Sequence, residues 1–567
     1  MDPENGDGSA VDDRGTFEKP PDVLRGGQGV GSVRDDGHTA GVIGGGEATT
    51  QPDTDPAAAH PERRDGGDDG PSEQGAPLLI PGETCWRIER ATRFAIFVDA
   101  AGYFATLKRA VLRAERRVLF IGWDFDPRIR LDPLDGCRPK DDRLGTVLER
   151  AVEQNPRLEI GVLQWDLGML RALGRGLKPI VLLDRRTPDR LTFAVDTHHP
   201  VGGAHHQKIV IIDDCLAFAG GIDVTADRWD TSDHADGNPH RRRPAAGRAG
   251  GRLTGPWHDA TSMMTGPAAR AVAELARERW VSGTGERLEP LPEERECWPE
   301  DVEPLLTDVD VAISRTRPEH AGAPLVHEVE LLWLATIAAA RRSIYVESQY
   351  FASRRIAEAI AERLREPDGP DVVVLNPWTA DGWLSEKAMG TARARVLEIV
   401  READVHDRFR LYTPVTEQRE HIYVHAKLTV VDDRLLRLGS SNLNNRSMGL
   451  DTECDLAIEA VEGRPGADRL AATIVGFRDG LLAEHLGCTP DDVAAAIADT
   501  GSLVQGIERL RRPTGRSLVP FEPPELDPVD RALAESEVMD AEKTPNRWRR
   551  VERFFARRRR PRNRVRS

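Results

Sequence analysis

Cysteine is scarce in this 567-residue chain. Six are scattered at Cys85, Cys137, Cys215, Cys297, Cys454 and Cys488, with no CxxC pair and no ligand spacing, so a structural zinc site is not expected. Long apolar runs are also missing. No window reaches the roughly 18 apolar residues that a bilayer-spanning helix requires. The first ten residues, MDPENGDGSA, have neither the basic start nor the apolar stretch of a secretory leader. A cytoplasmic protein, at most peripheral to a membrane, is the expectation. Excess positive charge is absent as well: the net charge is -16, so phosphate backbones are repelled overall and no nucleic-acid partner is expected.

What remains is a globular composition, 39% apolar and 30% charged, long enough for two to four domains and a large core. Residues 1–76 are an exception. They hold sixteen Gly and seventeen acidic residues against six basic ones, too little apolar surface to offset ordering entropy, and read as a disordered acidic Gly-rich tail. From 77 onward amphipathic helical stretches alternate with short apolar runs. DAAGYFATLKRAVLRA precedes VLFIGWDFD (118–126), and RLGTVLERAVEQ precedes EIGVLQWD (159–166). Later, LVHEVELLWLATIAAARRS precedes IYVESQYF (344–351), and a helix over 356–364 precedes DVVVLN (371–376). This rhythm predicts parallel or mixed sheets covered by helices.

Two stretches stand out. His206-Gln207-Lys208 is followed by Asp213 and by Gly220-Gly221-Ile222-Asp223; His425-Ala426-Lys427 is followed by Asp432 and by Gly439-Ser440-Ser441-Asn442. Each reads as a turn into a buried strand, where alternation sends the His and the Lys, two residues apart, to one face. His206 lies 85 residues after Ile121, and His425 lies 79 after Val346, so the halves repeat one plan. Two imidazoles and two cations around one point suit an anionic phosphate.

The repeated HxKxxxxD with its Gly-rich turn resembles the two HKD motifs of the phospholipase D superfamily, and the chain looks closest to the phospholipase D enzymes proper. FAGGIDVTADRWDTSDH, PWHDATSMMTGPAA, IYVESQYF and LGSSNLNNRSMGLDTE extend the likeness over about residues 85–485. The resemblance implies an α/β fold: two duplicated α/β/α units with mixed sheets, related by a pseudo-two-fold, with the active site at their seam. The first repeat is expected at 77–300 with its motif at 206–213, and the second at 301–490 with its motif at 425–432. A helical C-terminal extension (491–545) and an Arg-rich tail (546–567) follow.

Implied by the same resemblance is hydrolysis of a phospholipid to phosphatidic acid and free alcohol, with transphosphatidylation sharing the intermediate. His206 would be the nucleophile and His425 the general acid and then base, without metal or cofactor. The chemistry of a phosphodiester asks for cations on its oxygens, a nucleophile and an acid. Lys208 and Lys427 would hold the oxygens, with Asn442 and Ser440 as phosphate-binding groups and Asp213 and Asp432 completing the motifs. Asp230 and Glu453, placed after the two turns, are the expected orienting carboxylates. The first turn departs from the pattern: Asp223 replaces an amide and is expected to point away or bond backbone. Trp257-His258-Asp259 is read as rim packing, and His198, His199 and His205 as crowding the first motif without ligand spacing.

A monomer is expected, since one chain carries both motifs. The eleven Arg and three aromatics of residues 547–567 suit peripheral contact with anionic lipid, and the Arg-rich segment 234–256 reads as a solvated loop able to reach the site mouth. Competing readings are a cardiolipin-synthase-like phosphatidyltransferase, a nuclease, and a catalytically silent membrane-binding scaffold. Both HxK motifs are intact, which opposes the last.

Overall fold

Val118-Leu119-Phe120-Ile121 is apolar at every position, as a strand needs when helices cover both its faces. It forms the centre of β2, and its alternation divides two cores: Val118 and Phe120 join one hydrophobic cluster, Leu119 and Ile121 another. The computed structural model describes residues 76–166, 189–244, 251–292, 295–379 and 383–522, within one compact unit, Pro71–Ser567. Residues 1–75 of the acidic tail, the Arg-rich tail, and the C-terminal extension beyond 522 lie outside the described residues.

The first half runs β1 (Arg87–Val98), α1 (Ala100–Arg113), β2 (Arg117–Gly122), α2 (Leu144–Gln154), β3 (Glu159–Trp165), β4 (Leu191–Asp196), β5 (Ile209–Ile212), β6 (Leu216–Gly220), β7 (Ala260–Thr265) and α3 (Pro267–Thr284). The second runs β8 (Leu306–Arg317), α4 (Glu328–Ala339), β9 (Ser343–Glu347), α5 (Arg354–Arg365), β10 (Asp371–Leu375), α6 (Trp383–Ala403), β11 (Phe409–Val415), β12 (Leu428–Val431), β13 (Leu435–Gly439), β14 (Glu453–Glu459) and α7 (Ala467–Leu486). Then come α8 (Pro490–Thr500), α9 (Leu503–Leu510) and β15 (Ser517–Pro520).

One mixed sheet carries both halves, in the order β15-β11-β10-β9-β12-β13-β14-β8-β1-β7-β6-β5-β2-β3-β4. Read outward from the middle, β8-β14-β13-β12-β9-β10-β11 repeats β1-β7-β6-β5-β2-β3-β4 strand for strand. The duplication is therefore built into a single continuous sheet. Its centre is the antiparallel pair β1–β8, with Arg87 opposite Ile313 and Phe94 opposite Leu306. These two 12-residue strands are not anticipated by the sequence reading, because charged residues interrupt their apolar positions. The helices of each half divide between the faces as the repeat demands. Tyr103, Leu107, Val147 and Leu148 of α1 and α2 pack on one face, while Ala268, Val272, Ala276 and Trp280 of α3 pack on the other. In the second half α4, α5 and α6 cover one face and α7, α8 and α9 the other. The C-terminal extension is not wholly helical, since β15 pairs antiparallel with β11 and extends the sheet by one strand.

Candidate active site

Both motifs are pinned from behind by their aspartates. Asp213 accepts the backbone N–H groups of Glu115, Arg116 and Arg117 at 2.7–2.8 Å. Asp432 accepts those of Arg341, Arg342 and Ser343 at 2.8–2.9 Å. Each carboxylate thereby fixes the start of a neighbouring strand, β2 or β9, and both aspartates have positive φ (49° and 53°) in the tight turn. The sequence reading groups them with the catalytic residues; the structure gives them an anchoring part at the far end of β5 and β12. The glycine-rich turns have a separate cause. A Cβ on Gly220 would lie 2.5 Å from Cα of Thr261, and one on Gly439 2.5 Å from Cα of Asp455. Each turn is pressed against the last strand of its own half.

The two histidines meet across the halves. His206 donates its backbone N–H to the Thr452 carbonyl (3.0 Å), and His425 donates its own to the His258 carbonyl (2.7 Å). In each case the next residue is a carboxylate that takes the imidazole. Nδ1 of His206 lies 3.1 Å from both carboxylate oxygens of Glu453, and Nδ1 of His425 lies 2.6 Å from Oδ2 of Asp259. Each ring is therefore oriented by the opposite half. Glu453 is itself held by the hydroxyls of Ser440 (2.5 Å) and Ser447 (2.7 Å), and Asp259 accepts the N–H of Ala260 at 2.8 Å. With Nδ1 occupied, Nε2 of each ring is the nitrogen left for a ligand.

The electrostatics are those of a dry cationic site. Burial first, then Lys208 and Lys427, hold His206 well below the usual imidazole range. Burial, Lys427, Arg228, Lys208 and His206 do the same to His425. Each motif thus acts on the other's imidazole, so both belong to one site. Burial pushes Glu453 up to about 8, against the attraction of Lys208 and the hydroxyls of Ser440 and Ser447. Burial also lowers Lys427 to about 7, against the attraction of Asp259. Lys208 Nζ donates to the His206 carbonyl (2.7 Å) and lies 3.3 Å from Oδ2 of Asp223, whose other oxygen accepts the N–H of Trp123 at 3.0 Å. Asp223 is thus bound to backbone and lysine together. Lys427 Nζ donates to the His425 carbonyl and lies 3.2 Å from its Nδ1. Asn442 is buried, and its Oδ1 has no hydrogen-bond partner. Trp257 stacks on Tyr423 at 4.4 Å and leans on His425 at 5.2 Å, with the Arg228 guanidinium 4.1 Å from the Trp257 ring centre.

Three expectations are corrected by this geometry. Asp230 orients neither motif histidine; its carboxylate accepts from His234 Nδ1 (2.9 Å), Arg241 (3.0 Å) and the Trp257 N–H (2.9 Å). Asp259 stands in its place, 53 residues beyond His206 where Glu453 lies only 28 beyond His425, because the insertion around 227–256 separates β7 from the turn. Aligning ATSMMT with CDLAIE as the last strand of each half would have found it. Ser440 positions Glu453, so its hydroxyl is not open to phosphate. Arg241, read as part of a solvated loop, is buried against Asp230, and Arg243 pairs with Asp227; residues 245–250 lie outside the described residues.

Comparison with known proteins agrees with this arrangement. A sequence model of the family described as Phospholipase D matches residues 181–302 and 399–529, one segment in each half and each containing one motif. The chain thus carries a phospholipase D family domain in two segments, with one HKD motif in each. It is 27% identical to phospholipase D A of Dictyostelium discoideum over 471 residues, which cover 70% of this chain and 36% of that one. It is 25% identical to phospholipase D alpha 1 of Zea mays over 517 residues, covering 67% of this chain and 63% of that one. The chain thus spans between about a third and two thirds of the length of these two members of the family. Among solved structures, phosphatidylserine synthase of Haemophilus influenzae aligns with a TM-score of 0.46 and 14% identity, over 74% of this chain and 96% of that one. No helix among the described residues is long and apolar enough to cross a membrane.

Proposed function

We propose that the chain is a phospholipase D-type phosphodiesterase that cleaves the headgroup from a phospholipid through a phosphohistidine. The observation that carries this is the crossed pairing of His206 with Glu453 and His425 with Asp259, which offers two Nε2 atoms to one ligand. His206 is assigned as nucleophile because its side chain is the more exposed, 15% against 5% for His425. Its Nε2 lone pair attacks phosphorus, the bond from phosphorus to the headgroup oxygen breaks, and protonated His425 gives that oxygen its proton. Lys208 and Lys427 face the non-bridging oxygens, with Asn442 beside them. An anionic phosphate offsets the lysine field that holds both imidazoles down, so a proton on His425 becomes favourable once substrate is bound. Neutral His425 then takes a proton from water, hydroxide displaces His206 from phosphorus, and phosphatidic acid leaves. A primary alcohol in place of water gives the phosphatidylalcohol.

Incubation with headgroup-labelled phospholipid and a primary alcohol tests the reading. Headgroup release and phosphatidylalcohol are expected from the intact protein and are lost in His206→Ala and in His425→Ala. Cleavage of DNA with no lipid turnover would overturn the lipid assignment. Turnover that survives either histidine substitution would overturn the mechanism.

A further inference from the structure

Behind Asp259 lies a second buried cluster that the chemistry above does not use. Asp99, His234 and His258 are at most 1% exposed, and Glu484 reaches them from α7 with an 11% exposed side chain. Around them stand Asp230, Arg241, Glu347, Tyr345 and His485. We propose that Asp99, His234, His258 and Glu484 bind one divalent transition-metal ion, zinc by the donor set, as a structural site supporting the second catalytic histidine.

The donor separations are those a four-coordinate ion requires. His234 Nε2 lies 3.2 Å from Glu484 Oε1 and 3.7 Å from Asp99 Oδ2; His258 Nδ1 lies 3.0 Å from the same glutamate oxygen and 3.3 Å from Asp99 Oδ1. One atom from each of the four residues falls within 4.8 Å of all the others. Arms of about 2.0–2.2 Å, the usual zinc–nitrogen and zinc–oxygen lengths, give tetrahedron edges of about 3.3–3.6 Å. Of these four contacts only His234 Nε2 to Glu484 Oε1 has hydrogen-bond geometry. His258 Nδ1 and Asp99 Oδ2 are fully buried and have no hydrogen-bond partner despite this proximity, so a lone pair and a carboxylate face the same point.

The outer groups match those of a metal site. A ligating imidazole gives its far N–H to a carboxylate or carbonyl. His234 directs Nδ1 to Asp230 at 2.9 Å, with Arg241 neutralising that carboxylate at 3.0 Å. His258 directs Nε2 to Glu347 at 2.9 Å, and Glu347 is held by the Tyr345 hydroxyl (2.6 Å) and His485 Nε2 (3.3 Å). With Asp230 balanced by Arg241, a divalent ion balances Asp99 and Glu484. The consequence is mechanical. His258 accepts the His425 backbone N–H, and its neighbour Asp259 orients the His425 ring.

Metal content of the purified full chain, dialysed against a chelator and reloaded with zinc or cobalt alone, tests this. One equivalent per chain retained through gel filtration, a raised Tm, and cobalt d–d bands of tetrahedral intensity are expected. Asp99→Asn and Glu484→Gln should weaken zinc binding at least tenfold, while His198→Ala leaves it unchanged. A folded wild-type chain that holds no stoichiometric metal at micromolar zinc and shows no Tm shift overturns the proposal. So does binding that survives both carboxylate substitutions. If a variant fails to fold, the wild-type stoichiometry and Tm shift decide alone.

Discussion

Asp259 places Oδ2 2.6 Å from Nδ1 of His425, whereas Asp230, in the same stretch of chain, faces His234 and Arg241. Replacing either carboxylate by its amide therefore has different effects. Asp259→Asn removes the group that fixes the ring and balances its charge, so kcat should fall on the order of 10²–10⁴-fold with the fold retained. Asp230→Asn should lower Tm by several degrees and leave kcat within about tenfold. Headgroup-release kinetics beside thermal melts separate the two, and equal losses of kcat would refute the assignment. Gly221 gives a second check. A Cβ there would lie 2.3 Å from Oδ1 of Asp259 and 3.2 Å from the Ala260 carbonyl, so Gly221→Ala should reproduce most of the Asp259→Asn loss. Gly476→Ala, in α7 with nothing within 4 Å of the added carbon, should be neutral or stabilising by less than about 1 kcal/mol. The motif histidines and lysines were legible because their spacing repeats. Asp259 and Arg228 were not, because an insertion in one half broke the repeat where they lie.

Strands with unbroken apolar character, β2, β3, β9 and β10, could be read from sequence within a residue or a few of their observed ends. β1 and β8 could not. RIERATRFAIFV and LTDVDVAISRTR mix charge with apolar positions because each strand faces a core with part of its length and solvent with the rest. Pairing between distant elements is likewise silent in the sequence, as Cys215 and Cys297 show. They form a disulfide with Cα atoms 6.1 Å apart, tying the turn after β5 to the segment before β8 across 82 residues. Closing a loop of that size constrains the unfolded chain and contributes about 2–4 kcal/mol. Cys215→Ser should lower the free energy of denaturant unfolding by that amount, and reductant should do the same to the wild type. Thiol titration of the unfolded, unreduced chain should give four groups rather than six, in line with free Cys85, Cys137, Cys454 and Cys488. Six would exclude the bond.

At the scale of the molecule, the site exists only where the halves cross, and one crossing contact is set to fail in acid. His205 bridges to Thr452, its Nδ1 3.1 Å from that hydroxyl, while Nε2 lies 3.3 Å from Asp196. Burial, then the charge of Arg279, lowers His205 to about 4. An unfolded histidine titrates near 6.5, so between pH 6.5 and about 4 the unfolded chain takes up a proton that the folded one refuses. Stability is then lost as pH falls, by roughly 3 kcal/mol over the 2.5 units between those values. Asp196 acts in the same direction at lower pH: burial works against its charge, yet His205 and Arg279 outweigh it and hold the carboxyl well below its usual range. Urea unfolding measured at pH 4 and at pH 7 should therefore differ by about 3 kcal/mol less in His205→Asn than in the wild type. Parallel curves for the two proteins would remove His205 from the account. Because Thr452 also accepts the His206 N–H, protonation of His205 in the folded chain should loosen the nucleophile's support, so catalytic activity should decline only as pH falls through about 4, below the interval over which stability is lost.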